Sequence, residues 1–339
     1  MKGYKLLALA CIVALSIAAV FGLASCKDDG AEYTLYAPDG APALAAAGII
    51  GGFTHGDTAI KANVVGSDKI QQYAADADLA IVPSNLAANL FNKGSDIKVI
   101  ATVTHGNLYF IGSSDAAAVT KASDLEGKVV FSIGQGSVPA LIFERLLADN
   151  GIAYEISTDT AAAQPAAGKV TLCYAADGAA AIRAVKSKDS ADYYGIVGEP
   201  AVSIAAVKNG LEDKGSLQTL CGGGYSQAVL IAKTSVAKDG ELIAALLDAL
   251  KANADSIVTD EGAKAAYEAI KGNFDATSLA ATIDGAIARR CNVSVTAISS
   301  ESGYSEYLDT LNKVFALKAA AVGGSVPAKD SGFYYGISN

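Results

Sequence analysis

Lys128-Val129-Val130-Phe131-Ser132-Ile133-Gly134-Gln135-Gly136-Ser137 is the stretch on which the fold turns. An apolar run of strand length ends in two glycines one residue apart, and a helical pattern from Val138 to Asn150 follows. Strand, glycine turn and helix in that order form the repeating unit of an α/β domain. Glycine lets backbone approach a ligand closely, and Ser137 stands where a helix N-cap belongs. No third glycine arrives at the spacing of a dinucleotide fingerprint, so a nucleotide cradle is not implied.

The same order extends on both sides. Upstream, strands are expected at Tyr33–Ala37, Ile60–Val65, Leu79–Val82 and Ile97–Val103. Between them lie helices over Ala41–Phe53, with Pro42 in the first turn, Ser67–Ala75, capped by Ser67, and from Ser84 or Asn85 to Asn92. Downstream, strands are expected at Ala153–Ser157, Val170–Tyr174, Tyr193–Val197 and Leu217–Leu220, with helices over Gly178–Lys186 and Pro200–Asn209. Gly222-Gly223-Gly224 breaks the pattern, and Tyr225–Ala232 runs extended. Helices then follow at Val236–Val258, Glu261–Lys271, Ala276–Ala288 and Glu301–Leu317, before a loop-like tail containing Phe333-Tyr334-Tyr335. Two extended crossovers, near 108–114 and 222–232, imply an inserted domain. Residues 33–110 and 226–339 form one lobe and 111–225 the other, each a mostly parallel sheet flanked by helices. A ligand cleft is expected between them.

A net charge of −9 excludes the basic stripe that nucleic acid requires. Two histidines, His55 and His105, leave little from which to build a zinc site or a catalytic triad. Cys173, Cys221 and Cys291 have no metal-like spacing and read as buried small hydrophobes, with a disulfide plus one free thiol as the alternative. No cofactor is called for. Lys2 and Lys5, then the apolar run Leu6–Leu23 and Leu23-Ala24-Ser25-Cys26, have the order of a secretory signal. An uncleaved membrane anchor is the other reading. The small residues before Cys26 resemble a bacterial lipobox. That likeness implies a signal peptide over 1–25, a lipidated Cys26, a tether over 26–32 and a body outside the cytoplasm.

Taken together, the lipoprotein-like start, Ala37-Pro38-Asp39-Gly40-Ala41-Pro42 and Asp78-Leu79-Ala80-Ile81-Val82-Pro83-Ser84-Asn85 resemble the substrate-binding proteins of ATP-driven importers. The closest likeness is to the type II group, which includes binders of aliphatic sulfonates, nitrate, taurine and thiamine precursors. The quoted 128–137 stretch is similar to the turn opening the second lobe there, and Gly195-Ile196-Val197-Gly198-Glu199-Pro200-Ala201 to the step on its far side. The resemblance implies a monomer that closes on a small polar or anionic molecule by hinge bending and passes it to a permease and its ATPase. Many members hold their ligands with Trp or Arg. This chain has no Trp, and its arginines are Arg145, Arg183, Arg289 and Arg290, so substrate class does not carry over. Two alternatives are an enzyme on the same scaffold, of the chorismate-processing or pyrimidine-forming kind, and a lipoprotein sensor.

Helix starts supply the binding chemistry such a receptor needs, because their free N–H groups hold an anion without a basic side chain. Gly40 and Ala41 open the first helix, and Gly136 and Ser137 its counterpart in the second lobe. Ser84 and Asn85 would bond ligand oxygens or cap their own helix. Asn107 and Tyr109 flank the first crossover, while Tyr36 and Tyr174 end strands and would stack on a flat ligand or pack. Glu199 would meet a cation or cap a helix. Tyr225 and Ser226 lie on the return crossover, and His105 is expected in a loop. Arg289 and Arg290 are expected only to complement a helix dipole.

Overall fold

The structure, a computed structural model, describes residues 30–271 and 283–337, with the side chains of 204 and 205 left aside. The apolar N-terminal stretch, Cys26 and the first part of the expected helix Ala276–Ala288 lie outside the described residues. Glu32–Pro38 (β1) leads into Ala41–Ile50 (α1), and Phe53–His55 (β2) pairs with Thr58–Val65 (β3). Ile70–Ala74 (α2), Leu79–Pro83 (β4), Ser84–Asn92 (α3) and Ile97–His105 (β5) follow. The chain then builds a second sheet from Leu108–Gly112 (β6), Val129–Ser132 (β7), Ala153–Ser157 (β8), Lys169–Tyr174 (β9), Tyr193–Gly198 (β10) and Glu212–Ser216 (β11). Val138–Asp149 (α4), Gly178–Lys188 (α5) and the short Leu217–Leu220 (α6) accompany it. Ser226–Lys233 (β12) returns to the first sheet, followed by Thr234–Ala237 (α7), Gly240–Ile257 (α8), Asp260–Ile270 (α9), Gly285–Arg290 (α10), Val293–Ala297 (β13) and Glu301–Leu317 (α11).

The first sheet has the order β13-β5-β12-β4-β1-β3-β2 and the second β11-β6-β10-β7-β9-β8. Parallel pairs β3-β1-β4 and β10-β7-β9-β8 carry the α/β pattern. Both sheets are nonetheless mixed, for a reason of connectivity. The outgoing strand β6 lies antiparallel between β10 and β11, and the returning strand β12 lies antiparallel between β4 and β5. Each enters its sheet from the opposite end to its neighbours. The exchange between sheets falls at Gly106-Asn107 and Gly224-Tyr225, where the Gly106 N–H donates to the Tyr225 carbonyl at 3.0 Å.

Sequence explains the layering. Leu79–Val82 is apolar throughout and wholly buried, as a central strand covered on both faces must be. α1 is apolar almost all round and is buried between the sheet and helices α8 and α9. Its Gly48 permits that approach: a Cβ there would lie 2.9 Å from the Asn253 Cβ. Asn253 fixes the contact by donating to the carbonyls of Leu44 and Ala45, at 2.8 and 3.0 Å.

Four local expectations are corrected. Leu217–Leu220 is a helix, capped by Ser216, whose hydroxyl accepts from the Thr219 N–H; the strand is the charged segment just before it. The single helix Val236–Val258 is two, because Asp239 caps α8 by accepting from Leu242 N–H. Ser67 does not cap a helix; it bonds Asp39, and the helix starts at Ile70. Pro200–Asn209 shortens to a helical segment over 201–208 with a π-helical middle, Val202–Ala206.

Candidate ligand-binding cleft

The helix starts of both sheets gather at the carboxyl ends of the parallel strands, where open α/β sheets receive ligands. From the first sheet come Gly40-Ala41, after β1, and Ser84-Asn85, after β4; from the second come Gly134–Ser137, after β7, and Glu199, after β10. Gly40, Gly134 and Gly136 have φ of 84°, 71° and 78°, a region that side chains with a Cβ rarely adopt. A Cβ built on Gly40 would meet the Glu199 carbonyl oxygen at 3.9 Å. The first helix start of one sheet therefore faces the step after β10 of the other. Ala41 is buried directly behind that turn, and α1 carries no side-chain cap on its N–H groups.

Asn85 joins the two sheets outright. Its Oδ1 accepts from the N–H of Val138, the first residue of α4, at 2.9 Å. Its Nδ2 donates to the carbonyls of Gly136 and Ala321, both at 3.1 Å. Of the two roles open to Ser84 and Asn85, ligand contact or capping their own helix, neither residue takes the second. Asn85 caps the helix opposite instead. Ser84 turns inward, donating to the Ser226 carbonyl at 2.6 Å and lying 3.0 Å from the Ser226 hydroxyl, which reaches Thr102 in turn. The Tyr307 hydroxyl donates to the Ser84 carbonyl. Ser84 and Ser226 are thus internal struts of the first sheet, wholly buried.

A second polar bridge runs through Arg290. Its Nε donates to Glu199 Oε1 at 2.5 Å and its Nη2 to Asp213 Oδ2 at 2.7 Å. The guanidinium carbon sits 4.0 Å from the centre of the Tyr109 ring, and the Tyr109 hydroxyl donates to the Arg290 carbonyl at 3.2 Å. The Glu199 side chain is 0% exposed and the Arg290 side chain 35%. Ser203 completes the carboxylate shell, donating its N–H at 3.0 Å and its hydroxyl at 2.8 Å. Burial acts to lower the Arg290 pKa, but its hydrogen bonds to Glu199 and Asp213 outweigh that and hold it above the usual arginine value. Burial likewise raises the Tyr109 hydroxyl above its ordinary value, against the pull of Arg290. Glu199 therefore pairs with a cation of this chain, Arg290, and receives the N–H of Ser203 in the helical segment that follows it. The reading of Arg290 as a mere dipole complement is overturned; Arg289, whose Nη1 reaches the Val258 carbonyl at 2.5 Å, stays with its own lobe's helices.

Asn107 sits at the crossover between these bridges. Its carbonyl accepts from Glu199 N–H at 3.1 Å, its Nδ2 donates to the Glu199 carbonyl at 3.4 Å, and its Oδ1 accepts from Gln227 at 2.6 Å. Gln227 was not singled out from the sequence, nor was Ser203; no local motif marks either one.

Other expected residues lie elsewhere. Tyr36 stacks on Tyr73 of α2, centroids 4.8 Å apart. Tyr174 points to α4, donating to Glu144; burial, and then that carboxylate, raises the Tyr174 pKa. Tyr225 is buried against Gly106, where a Cβ would come within 2.5 Å of its ring, so it packs the crossover. Ser137 leaves α4 uncapped, because its hydroxyl donates back to the Gly134 carbonyl at 2.6 Å. His105 is the last residue of β5 and not in a loop; its Nδ1 lies 2.5 Å from Glu306 Oε1. Phe333 and Tyr334 pack into the first lobe beside β5, with the Val99 N–H donating to the Phe333 carbonyl. Cys173, Cys221 and Cys291 are free thiols. Among the described residues, no group of three or more His, Cys, Asp or Glu is placed to hold a metal, and no helix is long and apolar enough to cross a membrane.

Two mixed sheets, exchanged at paired crossovers and meeting through their helix starts, define the fold of the two-lobed periplasmic binding proteins. The chain belongs to the NMT1/THI5-like family, whose model matches residues 57–261. An ABC transporter structure from Parabacteroides distasonis is similar at 20% identity, over 91% of this chain and 99% of that one, with a TM-score of 0.67. The periplasmic aliphatic sulphonate binding protein SsuA of Escherichia coli is similar at 13% identity, over 89% and 90% of the two chains, TM-score 0.60. The alkanesulfonate-binding SsuA of Xanthomonas axonopodis pv. citri, bound to MOPS, gives 13%, 88%, 96% and 0.55. No curated protein matches the sequence.

Proposed function

We propose that this chain is the extracytoplasmic substrate-binding component of an ABC importer, capturing a small polar or anionic molecule by lobe closure. The reading rests above all on one observation. Helix starts from two sheets face each other at Gly40 and Glu199, and at Asn85, Gly136 and Val138. Backbone N–H groups at such starts attract negative or polar groups without a basic side chain. The similar solved structures, an ABC transporter and two sulfonate-binding proteins, support the same role. In this reading the first sheet carries one lobe and the second sheet the other, hinged where the chain changes sheets at Gly106-Asn107 and Gly224-Tyr225; the boundary expected at 110 moves back to 107, because all of β6, from Leu108, pairs in the second sheet. Gly40, Ala41, Asn107, Tyr109, Gly136 and Glu199 line the ligand space. The protein works as a monomer tied to the membrane through lipid on Cys26, hands its ligand to a permease and ATPase, and turns nothing over.

Titration against sulfonates, carboxylates, nitrate, amines, pyrimidines and amino acids tests this reading. Saturable one-to-one binding that raises the melting temperature, with the ligand recovered unchanged, is the expected result. A panel in which no compound shifts the melt, or one in which a compound is consumed, overturns it.

A further inference from the structure

The contacts that span the two lobes are made by the chain's own side chains, and one of them copies what a ligand does at a helix start. A helix N-terminus needs an acceptor for its first N–H groups. α4 obtains none from Ser137, whose hydroxyl is turned back on Gly134. Its first N–H is satisfied from the other lobe, by Asn85 Oδ1 at 2.9 Å. Both ends of the Asn85 carboxamide are engaged, since Nδ2 divides between Gly136 of the second lobe and Ala321 of the first. Asn85 is itself buried, so opening the lobes strips this group of Val138 and Gly136 and leaves it Ala321 alone until water replaces the lost partners.

We infer that Asn85 is a closure latch: a side chain of the first lobe that caps the leading helix of the second and so sets how much of the protein is closed before any ligand arrives. The latch rests on the two-lobed reading above but needs no ligand. It acts together with the Arg290 fork on Glu199 and Asp213, and the two differ in kind. The fork is ionic, and at Asp213 it is open to solvent, so salt weakens it. The Asn85 cap is neutral and buried, and salt leaves it in place.

The test measures energy transfer between dyes carried by non-native amino acids at positions 93 and 187, one exposed site on each lobe, in the full chain without added ligand. Asn85→Ala is expected to raise the ratio of open to closed molecules about 2- to 30-fold, the range that loss of a helix cap produces. Asn85→Asp, which keeps the acceptor for Val138 but turns an anion toward two carbonyls, is expected to shift the ratio the same way. Asn92→Ala is the control, because Asn92 makes the same kind of bonds wholly within the first lobe, to the carbonyls of Val322 and Ser325. It should lower the melting temperature and leave the interlobe distance alone. Unchanged distances in both Asn85 variants, or an equal change in Asn92→Ala, overturn the latch. That outcome would leave the receptor reading standing, because the ligand panel tests it separately.

Discussion

Replacing Arg290 by alanine strips the buried Glu199 carboxylate of its counter-ion, and the size of the loss follows from the surroundings. Removing one partner of a fully buried pair costs about 3–5 kcal/mol. Glu199 is fully buried but keeps two hydrogen bonds from Ser203, and the arginine end is 35% exposed. Both facts move the estimate down, to about 2 kcal/mol. Losing the stacked contact with Tyr109 adds about 0.5–1 kcal/mol. The Asp213 contact is open to solvent on both sides and adds at most about 0.5 kcal/mol. Arg290→Ala should therefore destabilise the protein by about 3 kcal/mol, against about 0.5–1 kcal/mol for Arg289→Ala, which loses one exposed bond to a carbonyl. Urea unfolding of both variants gives the comparison. Pairing Arg290→Ala with Glu199→Gln should recover about 1–2 kcal/mol, because a neutral amide no longer needs the cation. Equal shifts from the two arginines, or no recovery in the double variant, would refute the assignment of Arg290 to the bridge.

Three further outcomes are expected. Gly48→Leu drives a side chain into Asn253 at the closest approach of α1 and α8 and should cost about 1–3 kcal/mol in urea unfolding, whereas the same change at Gly51, which has open space around it, should cost far less. Asp78 is pushed up by burial but pulled further down by bonds from Thr34 and Lys233, so its folded pKa lies below 3.8. Its contribution is complete above that value and lost as pH falls through the folded pKa; Asp78→Asn should destabilise the protein near neutral pH, and the gap in urea midpoints should narrow as the pH is lowered below 3.8. The Cys221 thiol, beside a cavity of about 150 Å³ near the return crossover, is pushed by burial to about 11. Alkylation of native protein at mildly alkaline pH should therefore run roughly 100-fold slower at Cys221 than for a free thiol, and catch up on unfolding.

The fold was legible because its signal is periodic. Alternating apolar strands and helices located ten of the thirteen strands of the two sheets, and glycine turns located the helix starts at Gly40 and Gly136. Legibility failed where tertiary position overrides pattern. β11 carries Glu212, Asp213 and Lys214 because it is an edge strand, where charge is tolerated and even protective, so the apolar Leu217–Leu220 beside it attracted the strand assignment. β2 and β13 were missed altogether: both are short strands at the edges of the first sheet, Phe53–His55, which the expected helix Ala41–Phe53 overran, and Val293–Ala297, which pairs along part of β5. The site was less legible still. Asn85 was picked out, but its partner lies 53 residues on, and Arg290 lies 91 residues from Glu199. No spacing rule connects such pairs; only the meeting of two lobes does. Tyr36 and Tyr174, open to stacking on a ligand or to packing, show the complementary limit. Strand-end position says which end of the sheet a residue occupies, and the pleat then decides the face, which placed Tyr36 on Tyr73 and Tyr174 on Glu144.

Strand β12 imposes a timetable on assembly. It occupies the middle of the first sheet, yet Ser226 must find Ser84 across 142 residues of chain, and that long loop is entropically costly to close early. The second sheet draws all its strands from one uninterrupted stretch and can condense on local encounters. Once formed, it holds the ends of β6 and β11 in place and shortens the effective loop that β12 must span. The inserted unit thus serves as a scaffold for the lobe that encloses it, and damage to its strands should surface first as slow completion of the other sheet.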